Sequence, residues 1–359
     1  MKYKKRHIIL SIFLVIQILL LKLLKNKTLF IENDYSKSIY LHISKILRSI
    51  FGWIPFSFGD IVYTVLVIYL IVLVYKLFYR KLKFFKIYFL KIFATISVVF
   101  FIFNIFWGLN YYRLPLYKQL GFSDKSYTDE ELMTVTIKLI ERTNQLQEEI
   151  TNSKHKPVEI PHSIEDVFLR TKSGFENIHT KFDFPEYTPP SIKTSMYSTI
   201  LSYMGFSGYL NPLTNEAQVN YNIPMVSMPS TSSHEIAHQL GYAAENEANF
   251  ISFLACTHSN DKYFQFSGYY MAMRYCISNL YKNDREAYEK IRENLNEGVV
   301  QNMKIHREIN QKYDNDVLEP FIKDIYNTYL KANNQKDGIR TYSYMVKTLI
   351  NYHEMNPNF

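Results

Sequence analysis

Three apolar segments crowd into the first third of the chain, at about 7–24 (HIILSIFLVIQILLLKLL), 58–79 (FGDIVYTVLVIYLIVLVYKLFY) and 87–109 (IYFLKIFATISVVFFIFNIFWGL). Each has the roughly 20 residues that a helix needs to cross a bilayer. The few charges inside them, Lys22, Asp60, Lys76 and Lys91, lie towards the ends, where a long side chain can reach the interface. Lys2, Lys4, Lys5 and Arg6 ahead of the first segment would suit a secretory signal, but its apolar run is long and no small-residue cleavage site follows. A retained anchor is therefore expected.

Short basic flanks set the expected orientation. The N-terminus and the tight loop YRKLKFFK, with Arg80, Lys81, Lys83 and Lys86, should be cytoplasmic. Residues 26–55 and everything after about 110 then lie on the other side. The chain divides into a membrane region, 1–110, and an extracytoplasmic domain, 111–359. Residues 35–53 (YSKSIYLHISKILRSIFGW) read either as an amphipathic helix along the membrane surface or as an ordinary loop helix.

Charge follows the same division. Residues 1–118 carry a net +15 and the remainder a net −7, which together make the +8 of the whole chain. The basicity belongs to the membrane part, so the domain has no electrostatic footprint for nucleic acid. Cys256 and Cys276 both fall in apolar helical patterns, and whether they pair is open.

Within the domain, SYTDEE (126–131) reads as a capped helix start leading into an amphipathic helix, and a second helix is predicted over 164–181. Residues 189–229 are β-branched, aromatic and punctuated by glycine, which predicts a small sheet with turns at 205–208 and 211–215. Almost everything after 230 is helical. The fold class is α+β: apolar spans, then a mainly helical domain with a small sheet ahead of its central motif.

That motif is SSHEIAHQLGYAAENEANF (232–250), with Pro229, Ser230 and Thr231 as a stop and N-cap for a helix over 230–240. On a helix, i and i+4 share a face, so His234 and His238 can converge on one ion while Glu235 reaches a water bound to it. Two imidazoles leave a zinc site incomplete, since a catalytic one wants three protein ligands and an open position. On one straight helix Glu245 would lie about 16 Å from His234 along the axis, so a turn is needed, and Gly241 can supply it. Both Glu245 and Glu247 follow that turn. The stretch is too polar to lie inside a span, which argues against an intramembrane protease.

HEIAH followed by ENEAN resembles the gluzincin side of the zincin metallopeptidases, where a second helix carries a glutamate ligand in an E-x-x-A-D or E-x-x-A-N pattern. The resemblance implies Zn²⁺ held by His234, His238 and Glu245, with Glu247 as the alternative third ligand, Ala248 at the small position and Asn249 as the polar partner. The metzincin pattern fails, because its third-histidine position is Ala244. The whole chain, including YLNPLTNEAQVN and GIRTYSYMVKTLINY, is similar to an uncharacterised bacterial membrane family, domain of unknown function 3810.

The activity so implied is a membrane-anchored zinc metallopeptidase of the bacterial cytoplasmic membrane that hydrolyses peptides or envelope proteins, with Glu235 as general base. The alternative is a zinc-binding sensor or regulatory membrane protein without turnover. Substrate and oligomeric state stay open. NEAQVNYNIP (215–224) is the candidate exposed edge for strand addition, and Glu216 either orients the site or caps a turn. His306, Arg340, Tyr342 and Tyr344 are candidate oxyanion donors, and His258 reads as a surface residue.

Overall fold

The computed structural model describes residues 5–79, 84–316 and 318–357, and within them all side chains but those of Tyr342 and Ser343. Lys2, Lys4, Arg80, Lys81 and Lys83 of the basic flanks lie outside the described residues.

The three apolar segments form helices Lys5–Leu24, Phe58–Tyr79 and Phe85–Phe106, each long and apolar enough to cross a membrane, with mean hydropathy of 2.5, 2.4 and 2.2. Most of their large apolar side chains point outwards, which suggests membrane insertion, since water would not stabilise such a surface. The first packs along the third, and Gln17 Nε2 ties them by donating to Ser97 Oγ at 2.9 Å and Ser97 O at 3.2 Å. A buried amide in an apolar bundle needs such a partner.

The remaining chain is mainly helical around a small sheet. Helix Asp129–Thr151 begins with a reciprocal cap: Thr128 Oγ1 accepts from Glu131 N at 3.2 Å, and Thr128 N donates to Glu131 Oε2 at 2.7 Å. Its apolar face, with Leu132, Val135, Leu139 and Leu146, packs on helix Lys262–Asn283. Helix Ile164–Phe182 starts from Ser163, whose side chain accepts from Asp166 N. Helix Glu245–Thr257 is buried among these helices, with Phe250, Ile251, Phe253 and Leu254 in the core. Cys256 and Cys276 are buried and unpaired.

Strands β1 (Ile192–Thr194), β2 (Gly208–Asn211) and β3 (Glu216–Val219) form a sheet of order β1-β3-β2 just ahead of the HExxH helix. β3 pairs parallel with β1 and antiparallel with β2. This corrects the expectation that 215–224 is an exposed edge: β3 is central and buried throughout, and β2 is the edge beside the cleft. The reading fails because β1, paired with β3 at an offset of 25 residues, takes the second side of β3, a pairing that no local pattern announces.

Packing crosses residue 110. Helix Tyr40–Phe51 docks on the C-terminal end of the HExxH helix, where the last carbonyls lack partners within the helix. Tyr40 Oη donates to Gln239 O at 3.0 Å, and Ser44 Oγ donates to the same oxygen at 3.0 Å. Trp107 Nε1 reaches His238 O at 3.3 Å. Residues 35–51 are thus helical, a π-helical stretch over Ile31–Ile39 running into helix Tyr40–Phe51, with one face in the body of the protein.

Two carboxylates join the second apolar helix to the sheet. Asp60 does not reach out to an interface, as its position near a span end suggests; it is fully buried and accepts from Met196 N at 2.7 Å, Ser195 Oγ at 3.1 Å and the Tyr209 hydroxyl. Glu216 reaches the other way, accepting from Gly59 N at 2.5 Å and Phe58 N at 3.2 Å, so it caps the N-terminus of that helix and pairs with the buried Lys193. A carboxylate at a helix N-terminus meets both unpaired N–H groups and a favourable dipole. Glu216→Ala strands Lys193 without its counter-charge and is expected to destabilise the protein by about 3–5 kcal/mol. Thermal unfolding in detergent, beside Glu216→Gln, which keeps an acceptor, measures it.

Candidate metal centre

The HExxH helix spans Met228–Gln239. It begins two residues ahead of the expected start, because Pro229 fits the first turn, where its missing N–H costs nothing, and a 3-10 turn over Met225–Ser227 leads in. Gly241, at φ +89°, ends it. A side chain there would be strained, and its Cβ would stand 3.0 Å from the Tyr40 ring and 3.1 Å from Asn110 Oδ1. The chain reverses over Gly241–Ala244, and Glu245 opens the next helix.

This turn removes the separation a straight helix would impose. Glu245 Oε2 lies 3.2 Å from His234 Nε2 and 3.5 Å from His238 Nε2. The three donor atoms lie within 4.8 Å of one another. An ion bound tetrahedrally with arms of about 2.0–2.1 Å has neighbouring donors about 3.3–3.4 Å apart, and the two separations from Glu245 are close to this, so the trio could hold a metal ion. The two imidazoles are held in the fitting tautomer. His234 Nδ1 bonds Asn249 Oδ1 at 2.8 Å, and His238 Nδ1 bonds Tyr242 O at 2.7 Å. Protons placed on Nδ1 leave both Nε2 lone pairs directed at the same point.

The second oxygen of Glu245 is also engaged, accepting from Tyr326 Oη at 2.8 Å. Glu247 goes elsewhere: its Oε1 accepts from Leu116 N at 2.7 Å, and burial pushes its carboxyl up to about 7. It does not join the cluster. Asn249 is fixed from behind, donating to Tyr275 Oη at 3.2 Å.

Electrostatics describe a pocket that demands positive charge between the imidazoles. Burial opposes ionisation of Glu245, yet His238 and His234 hold its carboxyl well below the usual range. Burial likewise opposes charge on His238, and Glu245 reverses this and lifts the imidazole to about 9. A cation at the shared focus meets the same demand. Glu235 differs: burial pushes its carboxyl up to about 7 against the pull of His234 and His238, and its Oε2 is buried without a partner. Room for it comes from Gly208 of β2, where an added Cβ would stand 2.6 Å from Glu235 Oε1.

These groups lie in a cleft of about 1010 Å³. Of the oxyanion candidates, His306 lines it, and burial together with Arg274 drops its imidazole to about 3. Arg274 Nη1 donates to His306 Nδ1 at 3.1 Å, which leaves the neutral ring's proton on Nε2. Arg340 is not among the lining residues, Tyr344 lines a smaller separate pocket, and the Tyr342 side chain lies outside the described ones. His258 sits at the far end of the Glu245–Thr257 helix, beside Lys181.

Sequence reasoning missed Tyr326, Gly208, Arg274 and the buried pair behind the turn, Glu32 and Arg113. Arg113 gives Nε and Nη2 to Glu32 at 2.9 Å each and Nη1 to Gly241 O at 2.9 Å. No spacing rule links these positions to the motif. No curated protein and no solved structure is significantly similar to this chain. One family model, "Protein of unknown function (DUF3810)", matches residues 35–350, and the chain belongs to that family.

Proposed function

We propose that the protein is a membrane-anchored zinc metallopeptidase of the zincin type. The observation that carries this reading is one arrangement: three donor atoms within 4.8 Å of one another, beside a buried carboxylate whose Oε2 has no hydrogen-bond partner. A lone buried carboxyl is costly unless function retains it.

His234, His238 and Glu245 would hold the ion, which when bound makes water acidic enough to lose a proton near neutral pH and polarises a carbonyl. Glu235, with its Oε2 free of any other partner, would accept the proton and return it to the leaving amine. Tyr326 keeps Glu245 turned so that Oε2 faces the focus. His306, neutral with its proton on Nε2, is a donor on the cleft wall for charge developing on the substrate. The edge strand β2 runs along the cleft, where an extended chain can pair with it. The basic flanks make the N-terminus cytoplasmic and put the peptidase domain on the outer face of a bacterial cytoplasmic membrane.

Metal analysis of the full-length protein in detergent tests this. One zinc per chain is expected, lost in His238→Ala and in Glu245→Ala and kept in Glu247→Ala. No zinc after repletion overturns the reading. Zinc without peptide cleavage would favour the sensor, for which the ties of Trp107, just after the third apolar helix, to His238 O and of Asp60, in the second, to Tyr209 also speak.

A further inference from the structure

One wall of the cleft is not made by the domain body. Tyr63, one turn into the second apolar helix, and Phe103 and Trp107, at the end of the third, line it together with the metal-site residues. The third apolar helix has 22 residues, which at 1.5 Å each is about 33 Å, close to the roughly 30 Å of a hydrocarbon core. Trp107, immediately after it and buried in the protein, therefore falls near the level of the membrane boundary. Its ring meets that of His238 edge-on, with centroids 5.8 Å apart. The metal site lies one side chain from the surface of the bilayer.

The outer face of helix Tyr40–Phe51 agrees with this depth. While Tyr40 and Ser44 are buried against the HExxH helix, Ile39, Ile46, Ile50 and Trp53 point away from it, each more than half exposed. An apolar stripe ending in tryptophan on the far side of a docked helix is what a domain resting on lipid presents. The mouth of the cleft has the same character. Ile200, more than half exposed, lines it, and the equally exposed Met196 stands next to Tyr197, which also lines it. Tyr197 donates to Asp60 O at 2.8 Å and bonds Thr64, which fastens the rim of the cleft to the second apolar helix. The edge strand is fastened there too: Tyr209 bonds Asp60 and stacks on Tyr63, with centroids 6.2 Å apart.

We propose, resting on the peptidase reading, that the substrate enters from the bilayer side: the site takes the stretch of polypeptide that directly follows a membrane span of another protein. An extended chain leaving the bilayer beside Tyr63 runs onto β2 and reaches Glu235 within a few residues, whereas a water-soluble peptide gains nothing from the apolar rim. Reach is then a specificity determinant.

The test uses the full-length, zinc-loaded protein in lipid nanodiscs. A peptide of mixed sequence is offered unattached, or joined to a single polyleucine span through a short or a long flexible spacer. Cleavage of the short-spacer probe is expected to exceed that of the unattached peptide by about 10²–10⁴-fold, as tethering raises effective concentration. Its cuts should lie near the span. The long-spacer probe controls for tethering alone, and its cuts should stay near the span as well. Equal rates for attached and unattached peptide, or cuts spread evenly along the long spacer, overturn the proposal and leave the peptidase standing. A photo-crosslinking residue at position 200 of a Glu235→Gln protein gives a readout independent of turnover. Crosslinks to span-proximal residues without any cleavage by the parent keep this binding mode and overturn the peptidase. Crosslinks to lipid alone overturn the binding mode.

Discussion

Replacing Glu235 with glutamine is expected to lower peptide cleavage by about 10²–10⁴-fold while zinc stays bound. The argument is geometric before it is electrostatic. Glu235 lines the same cleft as His234, His238 and Glu245 but is no part of the donor trio. Glutamine has the same shape, so it fits beside Gly208, where the carboxylate already approaches closely. What is lost is the ability to take up and release a proton. Rate and metal content measured on one sample separate the possibilities: undiminished cleavage removes Glu235 from the mechanism, and loss of zinc makes it part of the metal's support.

Arg113→Met should destabilise the fold by about 3–5 kcal/mol and also weaken zinc affinity by about 10–100-fold. Arg113 and Glu32 are both buried, so removing the guanidinium leaves the carboxylate in a poorly hydrated site with only the half-exposed Lys37 at 3.5 Å and the Leu114 amide at 3.2 Å. Arg113 also holds the carbonyl of Gly241 and lies over the Tyr242 ring at 4.2 Å from its centre. The Tyr242 carbonyl accepts the Nδ1 proton of His238, so slack in this turn reaches a metal ligand directly. In Glu32→Gln/Arg113→Met the stranded charge is gone while the Gly241 bond is still missing. Thermal stability should then recover in part and zinc affinity should not. Recovery of both, or of neither, would show that the pair serves the fold alone.

Local physics was legible from residue types. An apolar run of twenty residues has few alternatives to a span, and each of the three forms a helix of 20 to 22 residues. The cap at Thr128 and Glu131 closes as its spacing implies, because both partners lie within one turn. The pitch of a helix sets His234 and His238 side by side wherever that helix is placed, and Gly241 marks its end by admitting a left-handed φ.

Relations between distant segments were decided by the tertiary structure. Glu245 and Glu247 sit in the same first turn, and nothing local separates them; the direction of the chain after Gly241 turns Glu245 towards the histidines, while an amide from Leu116, 131 residues earlier, takes Glu247. β3 became central because β1 claimed its second side. Asp60 and Glu216 read as a charge near a span end and a turn residue, yet they fasten the apolar helix and the sheet to each other. Spacing reports which side chains share a face of one element, over a reach of a turn or two. Which faces then meet depends on buried groups finding partners more than a hundred residues apart, and those pairings carry no periodicity for a sequence to display.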